Sequence, residues 1–70
     1  MILIAFGANL PHPDGRDALA TCLDARRALA ALPFWRPLVA SGWYASAPEP
    51  PSGQPDYING VAAYEAAEAV

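Results

Sequence analysis

The sequence predicts an α+β domain in which one helix packs on a three-stranded sheet. Three observations predict it. Short apolar runs rich in β-branched or aromatic residues occur at Ile2 to Phe6, Leu38 to Tyr44 and Tyr57 to Tyr64. A single stretch has helical spacing, from about residue 15 to 32. Clusters of proline and glycine separate these segments, so the order reads strand, helix, strand, strand.

The elements follow in turn. Ile2-Leu3-Ile4-Ala5-Phe6 reads as a strand buried on both faces, broken by Gly7-Ala8-Asn9. Pro11-His12-Pro13-Asp14-Gly15 is a loop by composition. Asp14 is the expected N-cap, with Asp17 adding charge at the positive end of the helix dipole. Ala18, Leu19, Cys22, Leu23, Ala25, Leu29 and Leu32 form the apolar stripe of the helix, which Pro33 stops. Leu38 to Tyr44 is the second strand, with Pro37 just before it. The helical connection between the first two strands suggests a parallel or crossover pairing. Pro48-Glu49-Pro50-Pro51-Ser52-Gly53-Gln54-Pro55-Asp56 is a stiff polar loop. Its four prolines remove four amide donors, so neither helix nor central strand fits there. That loop suits an antiparallel hairpin with a long tip. In the last strand Tyr57, Asn59, Val61 and Ala63 share one face, and Ile58, Gly60, Ala62 and Tyr64 the other. Glu65 to Val70 has helix-forming composition, but a helix that short does not hold in water.

Composition narrows the function classes. Seventy residues make one small domain or part of one, with no internal boundary. Hydrophobic residues at 54% argue against disorder, although sixteen are alanines that bury little area. One cysteine, Cys22, excludes an internal disulfide, and with one histidine, His12, a zinc cage is not expected. A net charge of −3, with four arginines and no lysine, argues against a nucleic-acid partner. The opening apolar run is five residues without a basic residue before it. The expectation is a cytoplasmic chain without signal peptide or membrane span.

Gln54-Pro55-Asp56-Tyr57-Ile58-Asn59 carries the candidate chemistry. An aromatic ring beside a carboxamide suits a flat heteroaromatic ligand. The ring stacks on its face, and the amide matches the alternating donors and acceptors of a purine or pterin edge. The same two residues also fit a plain half-buried strand aromatic and a surface amide.

Three blocks resemble one family. Ile4-Ala5-Phe6-Gly7-Ala8-Asn9-Leu10 resembles the "G-S-N-L" opening of the 6-hydroxymethyl-7,8-dihydropterin pyrophosphokinases of folate biosynthesis. Tyr44-Ala45-Ser46-Ala47-Pro48 resembles their "Y-x-T-x-P" segment, and Gln54 to Asn59 their "Q-P-D-[YF]-x-N" stretch. The blocks fall in the family's order, over the first half of its usual length. The resemblance implies a single partial domain over residues 1–70, the β-α-β-β portion of a ferredoxin-like sandwich. It implies a kinase-type transferase that moves pyrophosphate from ATP to a pterin, with magnesium and ATP as cofactors of the full-length family. Carried over, Tyr57 stacks on the pterin and Asn59 bonds its edge. Ser46, Ala47 and Glu49 complete the pocket wall. Serine at 46 keeps the hydroxyl of the family's threonine. Glu49 stands where the family more often has an apolar residue, and Ala8 where it has serine. Gly7 and Asn9 read as turn-formers, the asparagine bonding locally.

The family's second-half signature, "R-W-G-P-R-x-L-D-x-D", has no counterpart here. No D-x-D follows Asp56, no lysine is present and no glycine-rich phosphate loop occurs. The expectation is a pterin-side half, inactive alone, with no catalytic or metal-ligating residue and no cofactor bound by this chain alone. The competing reading is a non-catalytic pterin-binding or self-associating module, pairing through an uncovered sheet edge.

The remaining residues read plainly. His12 is a solvated loop histidine and Cys22 a small core residue. Arg16, Arg26, Arg27 and Arg36 look solvent-facing, and Trp35 and Trp43 are core or edge cover. Pro48-Glu49-Pro50-Pro51 is a stiff loop, since no basic anchor flanks it for recognition by another domain. Glu65 and Glu68 lie too far from other carboxylates to form an acid–base pair.

Overall fold

The last strand of the chain is the middle of the sheet. In a computed structural model that describes residues 1–66, β1 (Ile2–Ala8), β2 (Trp35–Ala40), β3 (Tyr44–Ser46) and β4 (Tyr57–Ala66) form one sheet, and α1 (Ala18–Ala30) packs on it. This is an α+β architecture. β1 lies along one side of β4, and β2 and β3 follow each other along its other side. Every pairing is antiparallel, with Ile4 opposite Ala62, Phe6 opposite Gly60, Ala40 opposite Ala62 and Ser46 opposite Tyr57. β1 and β2 are thus not neighbours. Of the parallel or crossover pairing expected, the crossover is found: α1 carries the chain across the strand inserted between β1 and β2, which make no direct contact in the ladder.

Register sorts the side chains. Opposed residues share a face, so Ile2, Ile4, Phe6 and Ala8 join Ile58, Gly60, Ala62 and Tyr64 under the helix. Phe6, Cys22, Ala62 and Tyr64 form the buried cluster, with Ile4, Ala8, Leu29, Trp35 and Trp43 packed against it. Tyr64 is 1% exposed and meets Trp35 edge-to-face at 5.6 Å between ring centroids. Trp43 meets Phe6 at 6.1 Å in the same manner. Both tryptophans are therefore core cover. Arg26 is not freely solvated, because its guanidinium lies 4.9 Å above the Trp43 ring.

Several expectations change for reasons of packing. β1 is buried on one face only: Leu3 is 65% exposed, and Ala5 and Gly7 are also exposed. One helix covers one side of a sheet, and no described element covers the other. β1 also runs on through Gly7 and Ala8, because β4 is long enough to pair with both. The helix starts at Ala18 with Asp17 as its N-cap, whose carboxylate accepts from the Ala20 amide at 2.8 Å. Asp14 cannot cap it, since its carboxylate is occupied by the Arg16 amide at 3.0 Å and the Arg16 Nε at 2.8 Å. Gly15 supplies the positive φ of 95° that this loop requires. Arg16 also reaches back to Asp24, tying the loop to the helix. Leu19, Ala25 and Leu32 fall outside the buried part of the stripe, whose fully buried members are Ala18 and Cys22.

The second strand is two segments. A register shift between Pro37 and Val39 bulges β2, and residues 41–43 interrupt the ladder before β3. Proline sits inside β2 because that strand is an edge. Ser41 bridges the gap: its amide donates to the Val61 carbonyl at 2.8 Å, and its Oγ accepts from the Val61 amide at 2.9 Å. The β3–β4 hairpin with its long tip is as expected. Glu65 and Ala66 extend β4 rather than opening a helix. The rest of that tail, Glu68 included, lies outside the described residues.

Candidate functional site

The face of the sheet turned away from α1 carries the candidate site. Antiparallel register sets its cross-strand rows. Leu3, Ala63 and Val39 form one row, and Ala5 and Val61 the next. Gly7, Asn59 and Tyr44 follow, then Tyr57 and Ser46. The apolar end thus gives way to an aromatic and polar end over four residues of β4. Tyr57, 38% exposed, and Asn59 project from this one face, two residues apart on one strand.

Asn59 is held on both sides. Its Nδ2 donates to the Ser46 Oγ at 2.8 Å, across to β3. Toward β1, Gly7 lies directly opposite, and a Cβ there would stand 3.4 Å from the Asn59 Oδ1. Gly7 therefore acts as a strand residue that leaves room beside the amide oxygen, not as a turn-former. One amide N–H is engaged, while the carbonyl oxygen is left as an acceptor.

The frame behind Tyr57 is fastened over a long sequence separation. The Asn9 Nδ2 donates to the Gln54 Oε1 at 2.9 Å, with the Pro55 carbonyl at 3.5 Å. The end of β1 is thereby clasped to the segment that leads into β4. Asn9 bonds across 45 positions rather than locally. This clasp and the place of Tyr44 beside Asn59 are the site features that sequence reasoning missed. The two carboxamides flanking the strand ends were the available signal, but their pairing needed the β1–β4 register.

Ser46, Tyr57 and Asn59 are brought together. Ala47 follows directly after β3 and is exposed. Glu49 is exposed farther along the loop, and no described contact ties it to Tyr57 or Asn59. The site is an open platform. Two concave regions of the described surface lie elsewhere, one between α1 and β2 and one beside the start of α1, lined in part by Asn9, Asp17, Pro55 and Asp56.

The loop before α1 and the core each hold a shifted group. The Arg16 amide, then its guanidinium, holds the Asp14 carboxyl below its ordinary value, and Asp14 and Asp24 raise Arg16. Burial pushes the Cys22 thiol up. No three His, Cys, Asp or Glu side chains gather as a metal site among the described residues. No described helix is long and apolar enough to cross a membrane. No protein-family model, curated protein or solved structure matches this chain.

Proposed function

We propose that this chain is the pterin-binding half of a folate-biosynthesis pyrophosphokinase. The observation that supports the reading is the row arrangement of Tyr57, Asn59 and Ser46 on one sheet face. Tyr57 stacks against one face of a flat bicyclic ligand. Asn59 offers its carbonyl oxygen to the ring-edge N–H donors, with its orientation set by Ser46. Ala47 contributes backbone at the margin, and Glu49 adds a charged rim in place of an apolar wall. Asn9 and Gln54 hold the frame. In this reading the protein is cytoplasmic, where ATP and reduced pterins are available.

The restriction to the pterin side is supported by the sequence: no D-x-D pair follows Asp56, and the chain has no lysine to neutralise a transferring phosphoryl group. No step of phosphoryl transfer is assigned to these residues. What they do is bind and orient one substrate.

Calorimetric titration with 6-hydroxymethylpterin tests this. Binding in the micromolar range is expected, weakened about tenfold or more in Asn59→Ala and in Tyr57→Ala by loss of a hydrogen bond or of stacking. Tyr57→Phe keeps the ring and is expected to bind near normally. Absence of pterin binding by the folded chain sinks the proposal. AMP formation from ATP and pterin by this chain overturns its restriction to the pterin side.

A further inference from the structure

We infer that the free edge of β1 pairs with β1 of a second copy of this chain, antiparallel across a two-fold axis through Ala5. The inference is independent of pterin binding. It starts from the Ser41–Val61 bridge, which turns both the amide and the carbonyl of Val61 toward the β2–β3 side. Backbone polar groups alternate in direction along a strand, so Gly60 and Ala62 point to β1 and bond Phe6 and Ile4. The amides and carbonyls of Leu3, Ala5 and Gly7 therefore face outward. No described strand pairs with them.

The two edges of the sheet differ in protection. Along β2 and β3 the edge carries Arg36, Pro37, a bulge at residues 37–39 and a break at 41–43. These are devices that stop a second strand from adding. Along β1 there is no charge, no proline and no register shift from Ile2 to Ala8. Unprotected edges of this kind template further strands.

The sequence of β1 suits itself as that strand. Centring the two-fold on Ala5 sets Ala5 against Ala5 and Leu3 against Gly7 of the second copy. All the outward donors and acceptors are then matched, and each leucine side chain lies beside a residue that has none. With no charge in the segment, no like charges meet.

Sedimentation equilibrium of the 70-residue chain tests the pairing. Wild type is expected to show a concentration-dependent shift from 7.4 kDa toward twice that mass. Ala5→Pro removes one outward amide without touching the β1–β4 ladder, and is expected to abolish the dimer. Ala5→Lys keeps the amide but sets two like charges opposite each other on the exposed face, with the same expected loss. If the proline variant fails to fold by circular dichroism, the lysine variant decides. A wild-type chain that stays monomeric to millimolar concentration, or a dimer that survives in the folded variants, overturns the inference.

Discussion

Gly60→Ala is expected to destabilise the protein through one ring. A Cβ at position 60 would stand 2.7 Å from both Cε3 and Cζ3 of Trp43, nearer than carbon atoms approach. Those atoms belong to a rigid indole, not to the end of a flexible chain. The ring has little room to move, since Phe6 meets it edge-on and the Arg26 guanidinium covers it. Overpacking of this kind costs about 1–3 kcal/mol. Replacing a strand glycine by alanine returns about 0.5–1 kcal/mol of backbone entropy. The net loss is then about 1–2 kcal/mol, a sizeable part of the roughly 4–10 kcal/mol that a domain of this size commands. Urea unfolding followed by far-UV circular dichroism measures it, and the midpoint temperature should fall by about 5–15 °C. Trp43→Leu removes the obstacle, so Gly60→Ala in that background should cost nothing further. If the alanine variant is as stable as wild type, or loses equally with and without Trp43, the steric account is wrong.

Asp17→Ala should cost about 1 kcal/mol through loss of the N-cap, whereas Asp14→Ala should leave helix content unchanged; thermal unfolding at neutral pH compares them. Because Arg16 lowers the Asp14 pKa, the stability gained from that carboxylate is complete above its ordinary value of 3.8 and lost as pH falls through the lower folded value. Acid titration of wild type against Asp14→Asn should show this difference shrinking with acid. Cys22 behaves oppositely. Its pKa is raised from 9.0, so its contribution is complete below that value and is lost as pH rises through the folded one. At 3% exposure, Cys22 should react with iodoacetamide slowly in buffer and quickly in urea, and equal rates would place the thiol at the surface. Asn9→Ala releases the clasp on Gln54, and hydrogen exchange should quicken at residues 54–58 while the α1 amides stay protected.

Local pattern made much of this protein legible. The period of two in Tyr57 to Tyr64 sorts that strand's faces as found, with Ala62 and Tyr64 inward and Tyr57 and Asn59 outward. Pro33, the helical spacing and the proline-rich loop locate the helix and the hairpin tip to within a few residues. These signals survive because they depend on neighbours in the chain. Pairing depends on distant residues, and there tertiary structure decided. β4 displaces β2 as the partner of β1, which leaves Leu3, Ala5 and Gly7 at an open edge. The same register sets Gly7 against Asn59, and Asn9 finds Gln54 across 45 positions. The sequence favours Asp14 as the cap, with Asp17 only adding charge at the helix dipole. Arg16 reverses that order: its amide and guanidinium take up the first carboxylate and leave the second for the helix.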